Sequence, residues 1–304
     1  MSVSMFLELA HTITGEYFGN TREIITVTVT GEEMYIATSP SDVAAVYLDT
    51  QKLDFDAFIK DVMRDFGCTE ETLQKTFDSD GRPKHWMDKT HVDFKLQMHP
   101  GDQLRIVESK FLGNIDRLMN WDSISGVSLV QSTGDFKTAF FGDAIFEVAP
   151  KVLDDFWAFN LEAWKMHSKY PRFAAPRVFD AKDRSVKASA DYLSLPKDQR
   201  PKYQRPGACW LFEQLEMGME EMGVTEATQC GAMLFSLQNL INANAYRQCF
   251  WCVAYLLHDI TVLEEIKKEI QPAWQSDGVN MAYLLESCPL LASFYEEMLR
   301  MNNL

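Results

Sequence analysis

The 304-residue chain has an ordinary globular composition, 46% hydrophobic, 24% charged and 12% aromatic, which excludes a wholly disordered, collagen-like or coiled-coil protein. Its net charge of −15 disfavours nucleic acid as a partner, because an acidic surface repels phosphate. No basic segment precedes the few apolar residues at the N-terminus, so the sequence predicts neither a signal peptide nor a membrane anchor. We therefore expect the chain as given to be soluble and cytoplasmic.

A β-hairpin is predicted near the N-terminus, in residues 23–37. Ile25, Val27 and Val29 alternate with threonines, which is the period-two pattern of a half-buried strand, and the turn falls at residues 31–32. Ser39 followed by Pro40 then predicts the start of a helix, because serine caps a helix N-terminus and proline fits its first turn.

The rest of the chain is predicted to form helices with short connections. Apolar periodicity and Gly or Pro stops place them at residues 55–66, 91–99, 104–119, 140–142, 148–166, 177–193, 210–222, 225–257, 261–270 and 290–301, with an irregular polar stretch at 70–83. No repeat or long linker divides the chain. The prediction is a single, mainly α domain over residues 1–304 with a small β-sheet.

The predicted helix at residues 225–257 is long enough, at roughly 45 Å, to cross a whole domain. It carries Asn242 and Asn244, which either contact a ligand or satisfy hydrogen bonds between packed helices. Cys249 and Cys252 form a C-x-x-C, but no second pair or neighbouring histidine completes a zinc set. We therefore predict that these two cysteines pack as small apolar side chains.

Three of the six histidines, His85, His91 and His99, lie in one region of the chain. No acidic ligand completes a metal set with them, so a structural or surface role is predicted. No phosphate-binding loop, zinc-protease motif or serine-hydrolase motif occurs in the sequence.

Residues 288–301 begin with Cys-Pro-Leu-Leu and carry Glu297-x-x-Arg300, and they follow the long predicted helix that includes residues 237–257. Together these segments resemble the cytochrome P450 superfamily, since the first is similar to that family's K helix and the second to its long I helix. Asn244, six residues before Phe250-Trp251, is similar to the branch that contains prostacyclin synthase and the sterol 7α- and 12α-hydroxylases. The hairpin and B-helix-like segment near residues 23–50 are similar to filamentous-fungal members.

The resemblance implies haem as cofactor, NADPH–cytochrome P450 reductase as electron donor, and monooxygenation of an apolar small molecule in secondary metabolism. It implies that Ala243 and Asn244 lie on the oxygen side of the haem. It also implies that Glu297 and Arg300 form a buried structural pair that assists haem incorporation. Family members are usually anchored in the endoplasmic reticulum membrane.

The chain departs from the family pattern at two haem contacts. The W-x-x-x-R of the C helix is missing, since Thr90 stands four residues after Trp86, which leaves Lys89, His91 or Lys95 as candidates to meet a haem propionate. The Phe-x-x-Gly-x-x-x-Cys-x-Gly loop that supplies the iron thiolate is absent. No metal ligand is therefore predicted, and we expect an incomplete P450-like fold, truncated by its C-terminal third, with exposed apolar surface.

Three functions remain open at this point. The first is that the chain is a fragment or mis-spliced form of a P450 monooxygenase. The second is a P450-type isomerase that rearranges a peroxide, because a neutral Asn244 cannot relay protons as an acid would. Alternatively it is a truncated, haem-free pseudo-enzyme that binds a ligand or a partner. An unrelated all-α binding protein is disfavoured by the ordered set of matches.

Overall fold

The computed structural model describes residues 23–29, 32–37, 39–49, 52–53, 55–78, 86–118, 144–196, 210–275 and 278–302; the side chains of residues 29, 32, 34, 114–118, 240–246 and 302 lie outside this description. In chain order the elements are β1 Ile25–Val29, β2 Glu32–Ile36, α1 Pro40–Leu48, α2 Phe55–Asp65, α3 Glu70–Phe77, α4 Trp86–Met98, α5 Asp102–Leu118, α6 Ala144–Val148, α7 Val152–His167, α8 Pro176–Ser194, α9 Trp210–Glu221, α10 Ala227–His258, α11 Ile260–Ile270, a 3₁₀ turn Gln271–Ala273, β3 Trp274–Gln275, β4 Gly278–Val279, α12 Met281–Glu286 and α13 Pro289–Asn302. The mainly α fold with small β-sheets is confirmed.

The predicted hairpin is present as the antiparallel pair β1–β2, with Ile25 opposite Ile36. α1 begins at Pro40, as predicted, but the expected side-chain cap is wrong. The Ser39 hydroxyl lies 2.6 Å from the Ser41 hydroxyl instead of accepting a backbone N–H. Since a cap from the Ser39 side chain is missing, Pro40 is the local feature that fixes this helix start.

The prediction of an irregular stretch at residues 70–83 is wrong for its first part, which forms α3. The Thr69 hydroxyl accepts a hydrogen bond from Thr72 N–H at 3.3 Å and caps this helix. Leu73 and Phe77, four residues apart, are both buried, so this polar segment has one apolar face toward the core. The helix expected at 140–142 lies outside the described residues.

Three phenylalanines at the centre of the core join the elements that hold the long helix. Phe66 follows α2, Phe159 lies on α7 and Phe235 lies on α10, and each is at most 1% exposed. Their ring centroids are 5.1–5.3 Å apart, with rings tilted or edge-on, as aromatic quadrupoles prefer. The first third of α10 is thereby packed into the main core.

Among the described residues, no helix combines the length and apolar character that a membrane span requires.

Candidate functional site

The long helix predicted to pass over a cofactor is present as α10, which runs for 32 residues without a break. At 1.5 Å per residue it is about 48 Å long. Ala243 and Asn244 lie near its middle, and their backbone is helical. Their side chains lie outside the described residues, so the contact of Asn244 with oxygen stays a prediction.

The first third of α10 is fixed by a close approach to α8 at Gly231. A Cβ added to Gly231 would lie 2.6 Å from the Val186 carbonyl oxygen and 2.9 Å from the Ala190 backbone nitrogen. Carbon and carbonyl oxygen normally stay about 3.3 Å apart or more. Glycine at this position therefore lets the two helix backbones come closer than any other residue would allow.

The N-terminal turn of α10 is tied to the loop between α2 and α3 by Gln229, which is 7% exposed. Its Oε1 accepts from the Thr69 N–H and from the Thr72 hydroxyl, each at 2.8 Å. Its Nε2 donates to the Gly67 carbonyl at 3.2 Å. One buried amide thus satisfies three polar groups and fixes the position of the helix end.

The C-terminal part of α10 is more exposed than its start. Phe250, Val253 and Leu257 share a face at helical spacing and are 44%, 51% and 63% exposed. On the adjacent face, Trp251 stacks on Tyr255 with ring centroids 5.7 Å apart. The expected exposed apolar surface is therefore present, and residues 243–244 lie between the buried start of α10 and its exposed end.

Helix α4 holds the three candidates for contact with a haem propionate. Its buried face contacts α9, where Trp86 lies against Gly218. Lys89 is held on that side, because its Nζ lies 3.3 Å from Glu221 Oε2. His91 and Lys95 are exposed, and Lys95 lines a shallow groove with Leu96, His99 and Gln103.

Helix α13 carries the predicted pair, and the pair forms. Arg300 Nε donates to Glu297 Oε2 at 2.7 Å and its Nη2 donates to Oε1 at 2.6 Å. The guanidinium holds the pKa of Glu297 below its usual range through these hydrogen bonds. The expectation of a buried pair is wrong for the described residues, since the two side chains are 59% and 62% exposed.

The outward position of this pair follows from how α13 packs. Met298, one residue after Glu297, is only 2% exposed. α13 contacts α10, α11 and α12, whereas α4 contacts α9, α3 and α5. The candidate residues on α4 and α13 therefore lie on helices with different main packing partners.

The described cysteines are poor candidates for the axial thiolate of a haem. The described ranges also hold no group of three or more His, Cys, Asp and Glu side chains that could bind a metal ion. Burial raises the pKa of Cys68 to about 12, and desolvation raises the pKa of the other described thiols, those of Cys230, Cys249, Cys252 and Cys288. A raised pKa disfavours the thiolate, which is the form that binds metal.

The structure also tests the predictions made for the histidines and for the C-x-x-C cysteines. His91 and His99 are exposed, in agreement with a surface location, and His85 lies outside the described residues. Cys249 is exposed and Cys252 half-buried, so the prediction of packing is wrong for Cys249. The exposed position follows from the outward-facing end of α10.

Two known proteins are similar to this chain. The protein named cytochrome P450 monooxygenase efuG, from Hormonema carpetanum, is 22% identical over 269 residues, which covers 78% of this chain and 46% of that protein. The protein named cytochrome P450 monooxygenase poxD, from Penicillium oxalicum, is 21% identical over 292 residues, which covers 90% of this chain and 57% of that protein. These similarities support the cytochrome P450 superfamily.

No family model matches the chain. The chain spans about half the length of the two curated relatives described above.

Proposed function

We propose that this chain is part of a cytochrome P450-type monooxygenase that oxidises an apolar small molecule. The observation that carries the proposal is the similarity to two proteins with that name over 78% and 90% of the chain. A 32-residue helix fixed at one end and a terminal helix with a Glu–Arg pair support it, because they match the two helices that the sequence indicated.

Haem would supply oxygen activation in this proposal, but its thiolate would come from a segment that these 304 residues do not contain. The contribution of this chain is to bind and orient. The amide of Asn244 can both donate and accept a hydrogen bond, so it would orient an oxygen-bearing ligand beside α10. The Lys95 ammonium, exposed on α4, would attract a carboxylate such as a haem propionate.

The experiment uses the product of the full open reading frame, with NADPH and NADPH–cytochrome P450 reductase. Apolar small molecules are incubated under isotopically labelled dioxygen, and products are analysed by mass spectrometry. A monooxygenase yields a product with one labelled oxygen atom, in an NADPH-dependent reaction. NADPH-independent rearrangement of an organic hydroperoxide, without label from dioxygen, would instead support the isomerase.

A haem-free binding protein is the second candidate function. It is favoured by the exposed apolar face of Phe250, Val253 and Leu257 on α10, which a bound partner would cover. A transcript read downstream of codon 304 separates the two candidates. An in-frame Phe-x-x-Gly-x-x-x-Cys-x-Gly loop supports the monooxygenase, and a stop codon in every transcript supports the binding protein.

A further inference from the structure

The N-terminus of α13 is held by a side chain from another helix. Glu269, in the last turn of α11, accepts backbone hydrogen bonds with both carboxylate oxygens: Oε1 from Leu290 N–H at 2.9 Å and Oε2 from Leu291 N–H at 2.8 Å. These N–H groups belong to the first turn of α13, where a helix offers no carbonyl of its own. The negative carboxylate also interacts favourably with the positive end of the helix dipole.

The same residue joins three elements through its backbone. The Tyr283 hydroxyl on α12 donates to the Glu269 carbonyl at 3.4 Å, and the Cys288 thiol lies 3.9 Å from that oxygen. Cys288, which directly precedes α13, is only 2% exposed. The end of α11, helix α12 and the start of α13 are therefore connected at one point.

This connection sets the position of the Glu297–Arg300 pair. Glu297 is eight residues after Pro289, about 12 Å along a rigid helix, so a rotation at the start of α13 displaces the pair. We propose that Glu269 is a positioning residue, which clamps the start of α13 and thereby fixes where Glu297 and Arg300 stand. The consequence for haem incorporation rests on the proposed function; the clamp itself does not.

Hydrogen–deuterium exchange on the 304-residue chain tests the clamp. Peptides covering residues 288–293 are compared between the unmodified chain, Glu269→Ala and Glu269→Gln, with Glu265→Gln as matched control. Glu265 is exposed on α11, one turn earlier. We expect the Leu290 and Leu291 amides to exchange about tenfold faster in Glu269→Ala, because their acceptors are removed. Glu269→Gln keeps one acceptor oxygen and should be intermediate.

Equal exchange in Glu269→Ala and the unmodified chain would overturn the clamp, as would the same acceleration in Glu265→Gln. Peptides from α7 and α8 serve as internal reference. If exchange in α7 and α8 is also faster in Glu269→Ala, that variant has lost its global fold, and Glu269→Gln becomes the deciding variant. Faster exchange confined to residues 288–293 in Glu269→Gln would support the clamp. Unchanged exchange at those residues would refute it.

Haem content of the full open reading frame product tests the positioning role. We expect Glu269→Gln to retain less haem per chain than Glu265→Gln. Full haem retention in Glu269→Ala, despite faster exchange at residues 290–291, would refute positioning. An unmodified product that holds no haem would refute the proposed function, while the exchange result on the clamp would stand.

Discussion

Replacement of Gly231 by alanine tests whether the long helix is fixed by its close approach to α8. The added Cβ would lie 2.6 Å from the Val186 carbonyl and 2.9 Å from the Ala190 nitrogen, both backbone atoms that no rotamer change can move away. Overpacking of this kind costs about 1–3 kcal/mol. Because both contacts are with backbone and shorter than 3.0 Å, the upper part of this range, about 2–3 kcal/mol, applies. Alanine recovers about 1 kcal/mol of helix propensity, which leaves a net loss of about 1–2 kcal/mol.

Urea unfolding followed by circular dichroism measures this loss, and Gly113→Ala is the matched control. Gly113 is also helical, on α5, but a Cβ there would meet nothing within 4 Å. The control should be stabilised by about 1 kcal/mol, since only the propensity changes. A Gly231→Ala chain as stable as the unmodified one would refute the inference that this contact limits the spacing of α8 and α10.

Substitutions at three further positions test separate parts of the structure. Gln229→Leu should lower the free energy of unfolding by about 2–3 kcal/mol in urea titrations, because it leaves buried groups around Thr69 unsatisfied, and an unchanged free energy of unfolding would contradict this. Burial raises the pKa of Asp93, so its contribution to stability is fully present below the unfolded pKa and lost as pH rises through the folded one. Asp93→Asn should therefore be more stable than the unmodified chain at pH 7 and equal to it near pH 3; equal stability at both would contradict this. Glu297→Gln should leave the unfolding midpoint of the 304-residue chain unchanged, because its side chain is 59% exposed, and a lowered midpoint would show a buried role.

Much of the fold could be predicted because local signals and packing agree. The alternation at Ile25, Val27 and Val29, the Pro40 start and the long apolar run of α10 each gave the observed element. α3 was missed because its composition is polar and its apolar face consists of two residues, Leu73 and Phe77. The start of α4 at Trp86, five residues before the predicted one, depends on a tertiary contact with Gly218 that no local pattern reveals.

The candidate site was harder to predict than the fold, because its geometry depends on tertiary contacts that no local pattern reveals. The spacing of Glu297 and Arg300 predicts that they pair on a helix, and they do. Their exposure depends on which face of α13 meets its neighbours, and sequence spacing does not specify that. The Glu269 contact joins residues 21 and 22 positions apart, so only the folded chain shows that this carboxylate caps α13.

The reduced, CO-bound absorbance spectrum of the full open reading frame product tests the central claim most directly. If the chain is part of a cytochrome P450-type monooxygenase, the product shows the Soret band of a haem with a thiolate ligand. The 304-residue chain alone should lack that band, because the loop that supplies the thiolate is absent from its sequence. A full product without a thiolate-type band, or a 304-residue chain that shows one, would contradict the account.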